Sequence, residues 1–209
     1  MRNFFKDFFE PFCFLIYAIA VFIMLGKKRS LKKEVLFIYY LLSTFIIAVA
    51  CYNSSIVLNH ILYNFYYLLT ICTFSYYFRQ SVNLNSRKMV INVIFIIYMI
   101  MFIIYISQKL PNINNYFYAL IYLGIVVYVL MYYEQLMKNI SDHNILYQFD
   151  FWLASGYLIY FLSCFFIILF YDNVDVELRA NLWILQNFVL FFSAILTLSG
   201  TIWIRSKHI

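Results

Sequence analysis

The sequence predicts an all-α fold: a polytopic membrane bundle of seven transmembrane helices, N-terminus outside and C-terminus cytoplasmic. Three observations carry this expectation. The 209 residues are 66% apolar and 11% charged, against about 45–50% and ~25% in an ordinary soluble domain. Between Asp150 and Asp172 runs FWLASGYLIYFLSCFFIILFY, 21 residues without a charge. As a helix rising ~1.5 Å per residue it covers about 31 Å, the thickness of a bilayer's hydrocarbon core, where the backbone must satisfy its own hydrogen bonds. Six further apolar runs, parted by short polar segments, repeat the pattern.

The first span is expected at 8–25, entered through Glu10-Pro11, because first-turn amides have no helical partner and tolerate proline. Gly26-Lys27-Lys28-Arg29 follows it without a small-residue cleavage site, so the run reads as a span and not as a removable signal. The loop to Glu34 also carries Lys32 and Lys33. Spans two (35–52) and three (55–78) are separated only by Asn53-Ser54, which demands a tight antiparallel hairpin. Arg79, Arg87 and Lys88 precede span four (89–106), which ends before Lys109-Leu110-Pro111-Asn112. Span five is 116–133, and the longest polar segment, Glu134 to Asp150, has room to continue that helix past the bilayer. Spans six (151–171) and seven (182–204) complete a single domain, 1–209, with no internal repeat.

An odd number of spans puts the termini on opposite sides. Eleven Lys/Arg fall on the side of loops one, three and five and the C-terminus, against Arg2, Lys6, Lys109 and Arg179 on the other. The positive-inside rule makes the side with eleven cytoplasmic, in a bacterial inner membrane. Trp152 and Trp203 then lie at the inner boundary and Trp183 at the outer, where indole rings settle.

The net charge of +6 sits in short clusters between spans, so it reads as a topology signal and nucleic acid is not an expected partner. Membrane lipids are, along with a cytoplasmic protein docking on the basic first loop and a second copy of the chain. The 24 Phe and 21 Tyr travel with abundant Ile, Asn and Lys and only 4 Gly and 2 Pro. That bias predicts that most aromatic rings are lipid-facing filler. Cys13, Cys51, Cys72 and Cys164 have no metal-ligand or redox spacing and read as small apolar residues, with a Cys13–Cys51 bridge left open.

Every Lys, Arg, Asp and Glu can be assigned to a loop or a span end, leaving His60 as the ionisable group expected inside the bilayer. Ion-coupled pumps, proton relays and most intramembrane hydrolases keep a charge there. A retinal Schiff base is disfavoured because span seven holds no lysine, and no phosphate loop, HExxH or GxSxG occurs. No catalytic residue, cofactor or metal is therefore predicted. The Glu134, Lys138, Asp142, His143, Asp150 segment reads as a solvated loop, since its spacing fits no ligand pattern.

Neutral polar residues remain, at helical spacing. His60, Asn64 and Tyr67 share one face of span three, with Asn53 at its outer end; Trp152, Gly156, Tyr160 and Ser163 share one face of span six; and Gln186, Ser193, Thr197 and Gly200 share one face of span seven. If these faces converge, His60, Asn64, Tyr67, Tyr160, Ser163, Gln186 and Ser193 outline a small ligand-binding pocket in the outer half of the bundle. The same residue types are also the ordinary glue of membrane helix packing, and Ser155-Gly156 with Ser163, and Gly200, read as close-packing seams.

At span six the chain resembles a known group. Phe151-Trp152, Ser155-Gly156 and Tyr160-Phe161, followed by Leu182-Trp183-Ile184-Leu185-Gln186-Asn187, are similar to the pattern of small bacterial seven-span membrane proteins of uncharacterised function, whose sixth span opens with an FW pair and an SG step. Leu62-Tyr63-Asn64-Phe65-Tyr66 resembles their aromatic third span. Members of the group carry a histidine where this chain has Gln186, so a role needing that ring is not expected. The resemblance implies the same architecture and no activity. The functional expectation is a non-enzymatic integral membrane protein, a sensor-like or regulatory module. The alternative is a channel, transporter or oligomeric pore-forming effector; a membrane lipid enzyme ranks last, for want of a catalytic dyad.

Overall fold

A computed structural model of the chain describes residues 4–26, 30–52, 55–107, 115–138, 145–171 and 173–206. They form seven α-helices, α1 (Phe4–Leu25), α2 (Leu31–Tyr52), α3 (Ile56–Ser81), α4 (Asn85–Ser107), α5 (Asn115–Lys138), α6 (Phe149–Tyr171) and α7 (Val176–Ser206), with a short 3-10 turn at Ile145–Tyr147 before α6 and no strand among the described residues. Asn53, Lys27 to Arg29, the Lys109 to Asn112 break, Asp142 and His143 lie outside the described residues.

Local chemistry sets the helix ends. Ser55 caps α3, its hydroxyl accepting from the Leu58 amide at 3.4 Å, and Val82 closes the other end in extended conformation with its N–H donating to the Phe78 carbonyl. The Asp175 carboxylate accepts from the Leu178 amide at 2.8 Å. This cap starts α7 at Val176, six residues before the apolar run begins, because capping and not hydrophobicity decides where the first turn forms. Helices α3 and α5 run beyond their expected ends, to Ser81 and Lys138.

Among the described residues, five helices are long and apolar enough to cross a bilayer: Leu31–Tyr52, Asn85–Tyr105, Tyr116–Lys138, Phe149–Tyr171 and Glu177–Ile204. The other two expected spans are α1 and α3. In α1 the side chains are described from Phe9 on, and every residue from Pro11 to Leu25 is apolar. Helix α3 has 26 residues, but Asn59, His60, Asn64, Thr70, Thr73 and Ser75 and its tyrosines dilute its hydropathy. Its position explains how that composition is tolerated: α3 packs against α2, α4 and α5 and reaches α6 through side chains, so much of its surface meets protein.

The helices close into a ring. Helix α1 packs on α2 and α7, α7 on α6, α6 on α5, α5 on α3 and α3 on α2, while α4 leans on α3 and α5 from outside. Only 11% of the apolar stretch of α4 is buried, against 61% for α5, which makes α4 peripheral. Successive helices alternate in direction. One end of the bundle gathers the starts of α2, α4 and α6 with the ends of α3 and α5, tied by Lys32, Arg87, Glu134 and Asp150; it is called the basic end below, and the opposite one the far end.

The aromatic residues do not act as lipid filler in general. Fourteen of the 21 tyrosines are buried. Phenylalanines divide differently: Phe12, Phe22, Phe45, Phe65, Phe166, Phe170, Phe188 and Phe192 are exposed on the outer face. The physical reason is the phenol hydroxyl, which needs a partner away from water and in most of these tyrosines finds one inside the ring, whereas a phenyl ring loses nothing against lipid. Three glycines permit close helix contacts, Gly124 of α5 against the Tyr98 side chain of α4 and two between α6 and α7. A Cβ at Gly156 would stand 2.6 Å from Thr197 Oγ1 and 2.9 Å from the Ser193 carbonyl, and one at Gly200 would strike the Trp152 side chain. Gly156 and Gly200 thus lie in the α6–α7 contact, whereas Ser155, expected in one seam with Gly156, meets Tyr133 of α5. All four cysteines are free thiols, so Cys13 and Cys51 are not bridged.

Candidate functional site

The interior of the ring is a column of tyrosines with polar ties at both ends. At its middle, Tyr17 of α1 stacks on Tyr40 of α2 with centroids 4.9 Å apart and planes 6° apart, and its hydroxyl donates to Ser193 Oγ of α7 at 2.9 Å. The Tyr40 hydroxyl meets that of Tyr157 on α6. Tyr39 shares a 3.1 Å hydrogen bond with Thr70 of α3, whose own hydroxyl donates to the Tyr66 carbonyl. Phe74 of α3 meets Tyr157 and Phe161 of α6 edge-on, at 4.7 and 5.1 Å. Each such ring pair contributes about 0.5–1.5 kcal/mol beyond its burial.

Toward the far end, the Tyr118 hydroxyl of α5 donates to Asn64 Oδ1 at 2.9 Å, and the Tyr118 ring stacks on Tyr67 at 3.9 Å. Tyr122 donates to the Tyr67 hydroxyl at 3.4 Å. At the basic end, Asp150 of α6 pairs with Lys32 of α2 and accepts from the Tyr77 hydroxyl of α3 at 2.7 Å. Lys32 Nζ also donates to Ser81 Oγ at 3.1 Å and stands 5.3 Å above the Tyr77 ring. Beside this group, Arg87 of α4 pairs with Glu134 of α5 at 2.8 Å, Lys138 donates to the same carboxylate at 2.6 Å, and Gln135 accepts from the Asn83 amide at 2.7 Å.

The residues of the expected pocket are distributed as follows. Tyr67 and Tyr160 are buried in the column. Asn64 is half-buried and engaged by Tyr118, and His60, Ser163 and Gln186 are half-buried. Ser193 is fully buried but faces Tyr17 of α1, and Thr197 and Gly156 lie beside it. Spans three and six do meet, through Phe74 and Phe78 against Tyr157 and Phe161. Span seven packs chiefly on α1 and α6, because α1 closes the ring on that side.

Two expectations about charge are corrected. Asp150 does not belong to a solvated loop: its side chain is 22% exposed and is held by Lys32 and Tyr77 from two other helices. Nor does His60 stand alone as an ionisable residue among the helices, since Glu10 of α1, half-buried itself, shares the buried stripe of Cys13, Phe14 and Tyr17. Assigning Glu10 to a span end placed it by position along the chain and ignored which way the helix faces. Register could have revealed it, because 10, 13, 14 and 17 share a face, but α1 is apolar on all sides and gives no contrast by which to choose that face.

Chemically, this arrangement can position hydroxyls and hold charge. Among the described residues no group of three metal-ligating side chains occurs. No protein-family model, curated protein or solved structure matches the chain.

Proposed function

We propose that the chain is a multi-pass protein of a bacterial inner membrane, crossing it seven times with the N-terminus outside, and acting as a non-enzymatic, sensor-like or regulatory module. In this reading a stimulus at the far end is felt at the basic end through the packed interior. One observation supports it above others: an unbroken path of contacts joins the two ends through five helices of the ring. From Asn64 it passes by Tyr118 of α5 to Tyr67 and Tyr66, to Phe14, Tyr40 and Tyr157, and through Phe78 and Tyr77 to Asp150. Contact alone is not coupling, so the reading stands on a measurement.

Hydrogen exchange of the whole protein in lipid nanodiscs provides it. Tyr118→Phe combined with Asn64→Ala removes the far-end tie. A coupled bundle changes exchange at the basic end, in 79–88 and 145–152, by about threefold or more. A change confined to the neighbourhood of the substitutions, 56–70 and 115–122, refutes the reading.

A further inference from the structure

Two hydroxyls inside the bundle are buried without a partner. Ser43 of α2 is 0% exposed and Tyr66 of α3 is 3% exposed, and neither hydroxyl meets a hydrogen-bonding group. Their places follow from the Tyr39–Thr70 hydrogen bond at 3.1 Å, which fixes how α2 lies against α3. Ser43 comes four residues after Tyr39, and Tyr66 four before Thr70. Because the two helices run in opposite directions, both stand one turn from that bond toward the far end. Helix α1 closes the same layer: Phe14 meets the Tyr66 ring edge-on at 6.0 Å, and the ring of Tyr40, three residues before Ser43, at 6.3 Å. Ile47, one turn beyond Ser43, is fully buried, so the layer is covered on the far side as well. Both orphan side chains act on the Tyr39 hydroxyl, as Thr70 does. Elsewhere in the helices the hydroxyls of Thr44, Thr70, Ser81, Ser155, Thr197 and Thr201 turn back onto the carbonyl four residues before them. Ser43 does not, and its hydroxyl is left for the interior.

The donors and acceptors of this layer do not balance. The Thr70 hydrogen goes to the Tyr66 carbonyl at 2.8 Å, so Tyr39 is the donor in the Tyr39–Thr70 bond and its oxygen keeps acceptor capacity. Ser43 and Tyr66 each hold a hydrogen with no acceptor. Two donors and one acceptor on adjoining turns are the complement of one water molecule, which accepts twice and donates once; about three hydrogen bonds are what a buried water makes. Away from bulk water an unpaired hydroxyl is costly, and a bridging water removes that cost for little entropy. We propose that Ser43, Tyr66 and Tyr39 bind a single structural water that joins α2 to α3 beside Phe14 of α1. The site stands whether or not the bundle signals.

Two measurements on the full-length protein test it. In crystals grown from a lipidic mesophase and diffracting well enough to show ordered water, a peak is expected within about 3 Å of Ser43 Oγ and of the Tyr66 and Tyr39 hydroxyls. Reversible unfolding in mixed detergent and SDS micelles then compares Ser43→Ala, Tyr66→Phe and the double variant. Each single variant is expected to lower the folding equilibrium constant about fivefold, as loss of one hydrogen bond requires. The double variant should lower it about tenfold, against about 25-fold for independent losses, because a water that has lost one partner is poorly held by the others. A map without the peak, or one in which the two hydroxyls bond directly to protein, overturns the proposal. So does a rise in stability in either single variant, which is what removing a dry, unpaired hydroxyl produces, or multiplication of the two losses in the double variant. The wild-type map decides alone should a variant fail to fold.

Discussion

Removing the carboxylate of Asp150 tests the ties at the basic end most sharply. A surface ion pair contributes about 0–1 kcal/mol, while removing one partner of a fully buried pair costs about 3–5 kcal/mol. Lys32 and Asp150 sit between these limits, with side chains 19% and 22% exposed. Asp150→Ala strands the Lys32 ammonium, leaving it Ser81, and deprives the Tyr77 hydroxyl of its acceptor. The expected cost is about 2–3 kcal/mol. Lys32→Met should cost about 2 kcal/mol, since Asp150 keeps Tyr77. The double variant removes both charges together, so its cost should fall short of the sum by roughly 1.5–2 kcal/mol. Reversible unfolding in mixed detergent and SDS micelles measures all three, with Lys138→Ala, which touches an exposed pair, as a control expected to change nothing measurable. Additivity within about 0.5 kcal/mol would show that the pair is not a coupled unit and would refute the reasoning.

Two further outcomes are expected. Gly156→Ala places a Cβ against the Ser193 carbonyl and Thr197; because a backbone atom must yield, stability should fall by about 1–3 kcal/mol, read as a lower melting temperature in nanodiscs, and an unchanged melting temperature would mean that the α6–α7 seam has slack. Orientation is read by single cysteines introduced at exposed Asn173 and Gln80 in a background without the native four. In intact cells an impermeant maleimide should label Asn173→Cys and reach Gln80→Cys only after permeabilisation, and the reverse pattern would invert the topology.

The existence and order of the seven helices were legible because an apolar run of about 20 residues has few other solutions. Their facing was not. A helix apolar all round carries no polarity contrast, so nothing in α1 distinguished the stripe of Cys13, Phe14 and Tyr17 from that of Phe12, Leu15 and Ile19, and Glu10 went unnoticed. The tyrosines were misjudged as a class because composition treats the phenol like the phenyl, whereas an unpaired hydroxyl cannot rest against lipid tails. Helix packing order was equally hidden: Ser193 and Thr197 do share a face, as spacing required, but that face meets Tyr17 because the ring closes through α1. The Lys32–Asp150 pair joins residues 118 apart in sequence, and no local pattern links them.

Closure of α7 onto α1 has a consequence for synthesis. Helix α1 leaves the ribosome before α7, so it must wait while the five helices between them are made before that neighbour arrives. Until then the Tyr17 hydroxyl lacks Ser193, and the side of α1 that α7 will cover faces lipid or an insertase. Nascent chains stalled before Ser193 should therefore be the species that membrane proteases recognise, and slow elongation over α7 should lower yield more than the same delay placed earlier.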